Sequence, residues 1–324
     1  MAKIEIVACT DKRFVMPTGV MMQSVCINNK DVEVVFHIIY DDSLNSEDKR
    51  DLENIAAGFE EKSVLFYHVD ATGFPRFQNI NTEIRISQAA YYRLMLSEIL
   101  PKTIHKVLYL DGDIIVRHSL LPLWNIDLKD HPVGVVTDGI EGDLEHYRRL
   151  NYPPQLGYFN SGVILVNLEY WREHDVVSTF LNYLQEHADK IIYHDQDVLN
   201  AIFSDNKVVL PIKYNLTCGF LWKTPQYDDS KYKEELVEAL RDPVIVHFAG
   251  CKPWDRSRKN QGHPFASTFF KYQSQTKWKG VKTDERPYKL RVINYVADML
   301  RKYGLKSPLP HSEREFFDIA PIDA

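Results

Sequence analysis

Over the first 70 residues, apolar runs of strand length alternate with segments of helical period, a pattern that predicts a layered β/α sheet. Residues 4–8, 32–40 and 63–69 read as strands, and 19–28 and 46–59 as helices, the second with a capping signal at its start. Ser87 is placed to cap a helix over 87–100. The apolar strand Lys106–Leu110 then stops abruptly at Asp111-Gly112-Asp113. Strands over 131–136, 162–166 and 244–248 and helices over 176–187 and 195–203 continue the alternation. Near Lys277 the pattern changes to a lysine-rich link. Beyond it Val292, Val296, Met299 and Tyr303 recur at helical spacing beside Lys289, Arg291, Arg301 and Lys302, an amphipathic basic helix over 288–303. Such a helix either docks on the core or makes peripheral contact with an anionic membrane surface.

The 324 residues allow one large domain or two modest ones, and 44% hydrophobic with 26% charged residues supports a globular core and excludes wholesale disorder. With 39 basic and 45 acidic residues the net charge is −6, which argues against a nucleic-acid partner. No apolar stretch approaches the ~20 residues needed to span a bilayer, and Met1 leads into a strand-like segment, so a cytoplasmic protein is expected. The four cysteines, Cys9, Cys26, Cys218 and Cys251, have no C-x-x-C spacing and suggest neither a zinc site nor a disulfide framework.

A polar stop at the carboxyl end of a strand lies where open α/β sheets bind ligands. Asp111 and Asp113 there could face one hard divalent cation, Gly112 allowing the backbone to turn, although Asp-Gly is also a common hairpin dipeptide. His247 interrupts an apolar strand. Two carboxylates and a neutral imidazole suit manganese, and magnesium less comfortably, while a histidine in a strand can equally be a satisfied core residue. Gly250 and Lys252 follow, able to approach phosphate, or simply to form a solvated loop. Asn160 and Ser161 stand at the entrance to an apolar run, where a turn would also explain them. Asp195 could serve as a helix N-cap, and Arg93 as a member of a surface ion pair.

Taken together and in order, Lys106-Val-Leu-Tyr-Leu-Asp-Gly-Asp113, Tyr158-Phe-Asn-Ser-Gly162, His194-Asp-Gln-Asp197 and His247-Phe-Ala-Gly-Cys-Lys-Pro-Trp254 resemble the signatures of glycosyltransferase family 8, which includes bacterial lipopolysaccharide glucosyl- and galactosyltransferases and glycogenin. The resemblance runs over about residues 4–278. It implies an α/β GT-A fold, a mixed, mostly parallel sheet flanked by helices over 1–278; the basic helix and tail read from the pattern then occupy 279–324. It also implies retaining transfer of glucose or galactose from UDP-glucose or UDP-galactose, with Mn2+ or Mg2+, to a saccharide acceptor such as lipopolysaccharide or another cell-surface glycan. Carried across by position, it assigns Asp111, Asp113 and His247 to the metal. Cys9, Asp11, Phe14, Gly112, Ser161, Gly250 and Lys252 fall to the nucleotide and diphosphate, and Arg93, Asn160, Asp195 and Gln196 to the donor sugar. Ser161 also borders that sugar.

Two departures stand out. Arg13 takes the place of a small amide, and Cys251 alone separates Gly250 from Lys252 where two residues are usual, which puts the reach of that lysine in question. A sugar nucleotidyltransferase is the rival enzyme class, but its glycine-rich basic loop is missing from Ala8-Cys-Thr-Asp-Lys-Arg-Phe14. A domain that binds UDP-sugar without turning it over is the non-enzymatic alternative.

Overall fold

A computed structural model describes residues 2–69, 88–222, 226–250, 252–256, 262–283 and 288–303. The strands are β1 (Lys3–Thr10), β2 (Glu33–Tyr40), β3 (Lys62–His68), β4 (Lys106–Leu110), β5 (Ile114–Val116), β6 (Val133–Thr137), β7 (Phe159–Asn167), β8 (Val208–Val209), β9 (Leu216–Thr217) and β10 (Ile245–His247). Seven of them form one sheet in the order β3-β2-β1-β4-β7-β6-β8, and β5-β10-β9 form a second, small sheet. Pairing within the large sheet is parallel from β3 to β4 and between β6 and β8, and antiparallel on both sides of β7. This is the α/β layering that the hydrophobic alternation predicts, with the mixed, mostly parallel sheet that the family resemblance implies.

β1 and β2 are buried on both faces, which is why they read as unbroken apolar runs. One face of the sheet packs Ile4, Ile6, Phe36 and Leu108 against α1 (Val15–Asn28) and α2 (Ser46–Ala57). The other packs Val7, Tyr109 and Ile164 against the helices of residues 168–203, centred on Trp171 and Phe180. A third cluster, including Val246, Phe248, Trp254 and Phe269, sits beneath the small sheet. α2 opens with a capping box in which Asn45 and Asp48 bond each other's backbone N–H at 3.0 and 3.1 Å.

Several sequence expectations change. α1 begins four residues earlier than its periodicity suggests, with Pro17 in the first turn, where a missing N–H costs nothing. The segment predicted as a helix over 87–100 is a 3-10 run, Gln88–Met95, followed by one α-turn, Leu96–Ile99, and Ser87 lies outside the described residues. Residues 91–96 are all buried, so the segment lacks the solvent face an amphipathic helix needs, and it is wedged between the sheet and the helices of residues 176–203. The hairpin reading of Asp111-Gly112 fails because β4 and β5 belong to different sheets. Among the described residues no helix is long and apolar enough to cross a membrane.

Candidate active site

The two sheets meet at the carboxyl end of β4. The Asp111 N–H donates to the Gly162 carbonyl (2.8 Å), and the Phe248 N–H donates to the Asp113 carbonyl (2.9 Å) while His247 stands opposite Ile114 across the β5–β10 pair. The His247 Nε2 therefore lies 3.3 Å from Asp113 Oδ1 and 3.7 Å from Asp111 Oδ2. One ligand atom from each of the three residues lies within 4.8 Å of the others.

The tautomer of His247 follows from its neighbours. The Gly162 N–H donates to Asn160 Oδ1 (2.9 Å), so that oxygen is an acceptor and the group Asn215 presents to it at 2.9 Å is its NH2. Asn215 then turns its oxygen to His247 Nδ1 at 3.0 Å, which places a proton on Nδ1 and leaves Nε2 as the ring nitrogen that faces the two carboxylates. Asp113 is nearly buried. Burial raises its pKa, but the Lys252 ammonium, 2.6 Å from Oδ2, and His247 outweigh that and hold the carboxyl well below its usual range.

Arg93 is no surface residue; it is 7% exposed and knits the site together. Its guanidinium meets Asp111 Oδ1 at 2.7 Å, Asp195 Oδ2 at 3.1 Å and the Ser161 carbonyl at 2.7 Å, and stacks 4.5 Å from the centre of the Tyr109 ring. Asp195 is accordingly not a cap. The helix His194–Phe203 begins after Tyr193 without a side-chain cap, and the Asp195 carboxylate instead accepts from Arg93 and from Ser161 Oγ (2.8 Å). Gln196 accepts from Asn160 Nδ2 and the Ser161 N–H, and donates to Asp138 Oδ2, each at 3.1 Å.

Burial lifts the Asp195 carboxyl to about 6, against the pull of Arg93. As pH rises from 4 to 6 the unfolded chain loses this proton and the folded one keeps it, so the carboxyl increasingly penalises folding, fully above 6. The Tm of Asp195→Asn minus that of the wild type should thus climb between pH 4 and 6 and then level off. A difference that stays flat across that range would show the carboxyl is not held protonated.

Near the end of β1, Asp11 is 5% exposed and accepts from the Arg13 and Phe14 N–H groups at 2.9 and 3.0 Å. Arg13, the departure noted in the sequence, folds its guanidinium onto the same carboxylate at 3.2 Å. Phe14 is half-buried, with the Lys252 ammonium 4.7 Å from its ring centre. Despite the short loop, Lys252 therefore reaches the acidic pair; Cys251 itself lies outside the described residues. Gly250 has φ +77°, a conformation suited to glycine, with open space on its side-chain side. Gly112 does not use a positive φ. It spares room, since a Cβ there would sit 2.5 Å from Thr18 Oγ1. Cys9 is buried beneath Arg93 and Tyr109, and burial pushes its thiol up to about 12.

Sequence reading missed Tyr109, whose hydroxyl donates to Asp111 Oδ1 (2.9 Å), Asn215, Asp138 and Asp197. Asp197 is fully buried and takes Arg149, the Tyr158 hydroxyl and the N–H groups of Ile192 and Tyr193. It anchors the turn before the helix. Beside this network opens a cavity of about 460 Å3, lined among others by Asp138, Asn160, Tyr193, Gln196, Trp222 and Gly250.

Residues 5–258 match the model of the glycosyl transferase family 8, and the chain belongs to that family. The general stress protein A of Bacillus subtilis is 29% identical over 280 residues, covering 85% of this chain and 94% of that one. The lipopolysaccharide glucosyltransferase WaaO of Escherichia coli is 26% identical over 310 residues, 93% and 86% of the two chains. Among solved structures, the galactosyltransferase LgtC in complex with donor and acceptor sugar analogs superposes with a TM-score of 0.72 at 26% identity, over 89% of this chain and 99% of that one. The fold is that of the GT-A transferases and the protein is a glycosyltransferase.

Proposed function

We propose that the protein is a retaining, metal-dependent hexosyltransferase that moves glucose or galactose from a UDP-sugar to a saccharide acceptor, a lipopolysaccharide or other cell-surface glycan. The observation that carries this reading is the convergence of Asp111, Asp113 and the Nε2 of His247 at the mouth of the cleft. Two carboxylate oxygens and one imidazole nitrogen fit manganese, with magnesium the second choice. When bound, such an ion supplies Lewis-acid stabilisation of the charge that develops on the departing diphosphate. Lys252 would add its ammonium to the same diphosphate, and Phe14 and Asp11 would hold the base.

The donor sugar would lie over Arg93, Asn160, Ser161, Asp195 and Gln196. Gln196 is a poor nucleophile, and the Asp195 carboxylate is already committed to Arg93 and Ser161. That arrangement favours attack by the acceptor hydroxyl on the face from which UDP departs, these side chains orienting the sugar. The cavity beside Asp138 and Trp222 would admit the acceptor. Incubating the protein with UDP-glucose or UDP-galactose and manganese should release UDP slowly without an acceptor and stop on chelation. Release that ignores the chelator, or none from either sugar, removes the reading.

The helix Tyr288–Lys302 turns Val292, Ile293, Tyr295, Val296 and Met299 to solvent, while Ala297 is buried. We propose that this face rests on an anionic membrane surface, its basic residues meeting lipid phosphate. The protein should sediment with vesicles containing phosphatidylglycerol and not with pure phosphatidylcholine; sedimentation with neither excludes the contact.

A further inference from the structure

We propose that a second cleft, between α1, α2 and residues 275–278, binds a neutral hexopyranose unit of a glycan, separately from the site of transfer. The cleft has a volume of about 340 Å3 and is lined by Gln23, Asn54, Ile55, Phe59, Gln275 and Trp278, with Asp51 and Lys277 at its side. It lies away from the acidic pair, because the last turn of α2, which borders it, leads into the amino-terminal end of β3.

Three features define the ligand. Gln23 is only 7% exposed, lines the cleft, and its carboxamide has no hydrogen-bond partner among the described residues. Its carboxamide atoms are not buried but open to the cleft, so their donor and acceptor are available to the hydroxyls of an entering group. Second, the polar lining is rich in carboxamides, which donate and accept at once and so match sugar hydroxyls. The two charged side chains, Asp51 and Lys277, bond each other, and Lys277 also lies 3.6 Å from Glu47, leaving no free charge to select an ion. Third, Trp278 is fixed as an apolar wall: its indole fills the space over Gly19, where a Cβ would lie 2.2 Å from the ring. An aromatic wall facing amides suits the apolar C–H face and polar rim of a pyranose. Membership of a sugar-transferring family gives the reason that glycan is at hand, whichever donor or metal the transfer site uses.

The test uses the full chain labelled with 5-fluorotryptophan, the Trp278 fluorine signal being assigned with Trp278→Phe. Titration with maltose and with lactose should shift that signal for at least one of them, at millimolar concentration, and saturating UDP with manganese should leave the shift in place. Asn54→Ala, at an exposed position, and Gln23→Leu should each weaken the affinity about fivefold, and loss in either variant with wild-type circular dichroism supports the site. No shift with either sugar, a shift abolished by UDP, or unchanged affinity in both variants overturns it. UDP release measured on the same preparation keeps failure of the donor reading distinguishable from failure here.

Discussion

Asp113→Asn should lower manganese-dependent release of UDP from a UDP-hexose by at least about 100-fold while moving the melting temperature by only a few degrees. The substitution keeps the volume and one acceptor oxygen, so neither a cavity nor an overpacked contact arises. What disappears is a charge shared by His247 at 3.3 Å and Lys252 at 2.6 Å. Lys252 is partly exposed and can turn its ammonium to water, so the fold tolerates the loss. The site does not, because a neutral amide offers a divalent ion a much weaker oxygen. Calorimetric titration should show manganese binding weakened in parallel with the rate. Retention of both within twofold would take Asp113 out of the ligand set; a weakened ion with an unchanged rate would separate metal binding from turnover.

The layered sheet was legible because β1 and β2 are buried on both faces, and a strand with no solvent side has to be apolar throughout. The Asp111-Gly-Asp113 stop and His247 were legible for the opposite reason: each is polar where the local pattern demands apolar residues. Arg93 illustrates what a linear pattern hides. Its segment reads as an amphipathic helix, and only the packed structure shows that 91–96 have no wet face and that the guanidinium bridges Asp111 to Asp195. Asn215 and Asp138 carry no signal at all in the sequence, since a lone amide or acid in a loop is ordinary. They matter because they fix the orientation of groups that do carry one, His247 and Gln196. Asp195 was visible, but its local context suggested a cap. Burial beside Arg93, a contact more than a hundred positions away in the chain, decides its partner.

Gly162→Ala should be nearly as damaging to activity as loss of a ligand, although residue 162 offers no ligating atom. A Cβ at this position would lie 2.2 Å from His247 Cε1, 2.8 Å from His247 Nδ1 and 2.7 Å from Asp111 Oδ2. None of these atoms can yield cheaply. The imidazole is 3% exposed, sits on β10 and is pinned at Nδ1 by Asn215, and the Asp111 carboxylate is held through its other oxygen by Arg93 and Tyr109. A methyl group must therefore tilt the imidazole off Asn215, bend β7, or do both. Overpacking of this kind costs about 1–3 kcal/mol, and a displaced Nε2 should weaken manganese binding and slow UDP release by about 100-fold. Gly112→Ala is the control. There the nearest atom is Thr18 Oγ1 at 2.5 Å, a hydroxyl that can rotate away at the expense of its 3.2 Å bond to Thr10. Its effect on both manganese affinity and rate should be clearly smaller than that of Gly162→Ala. Equal losses in the two variants would mean that general crowding of the cleft, and not displacement of His247, governs the site.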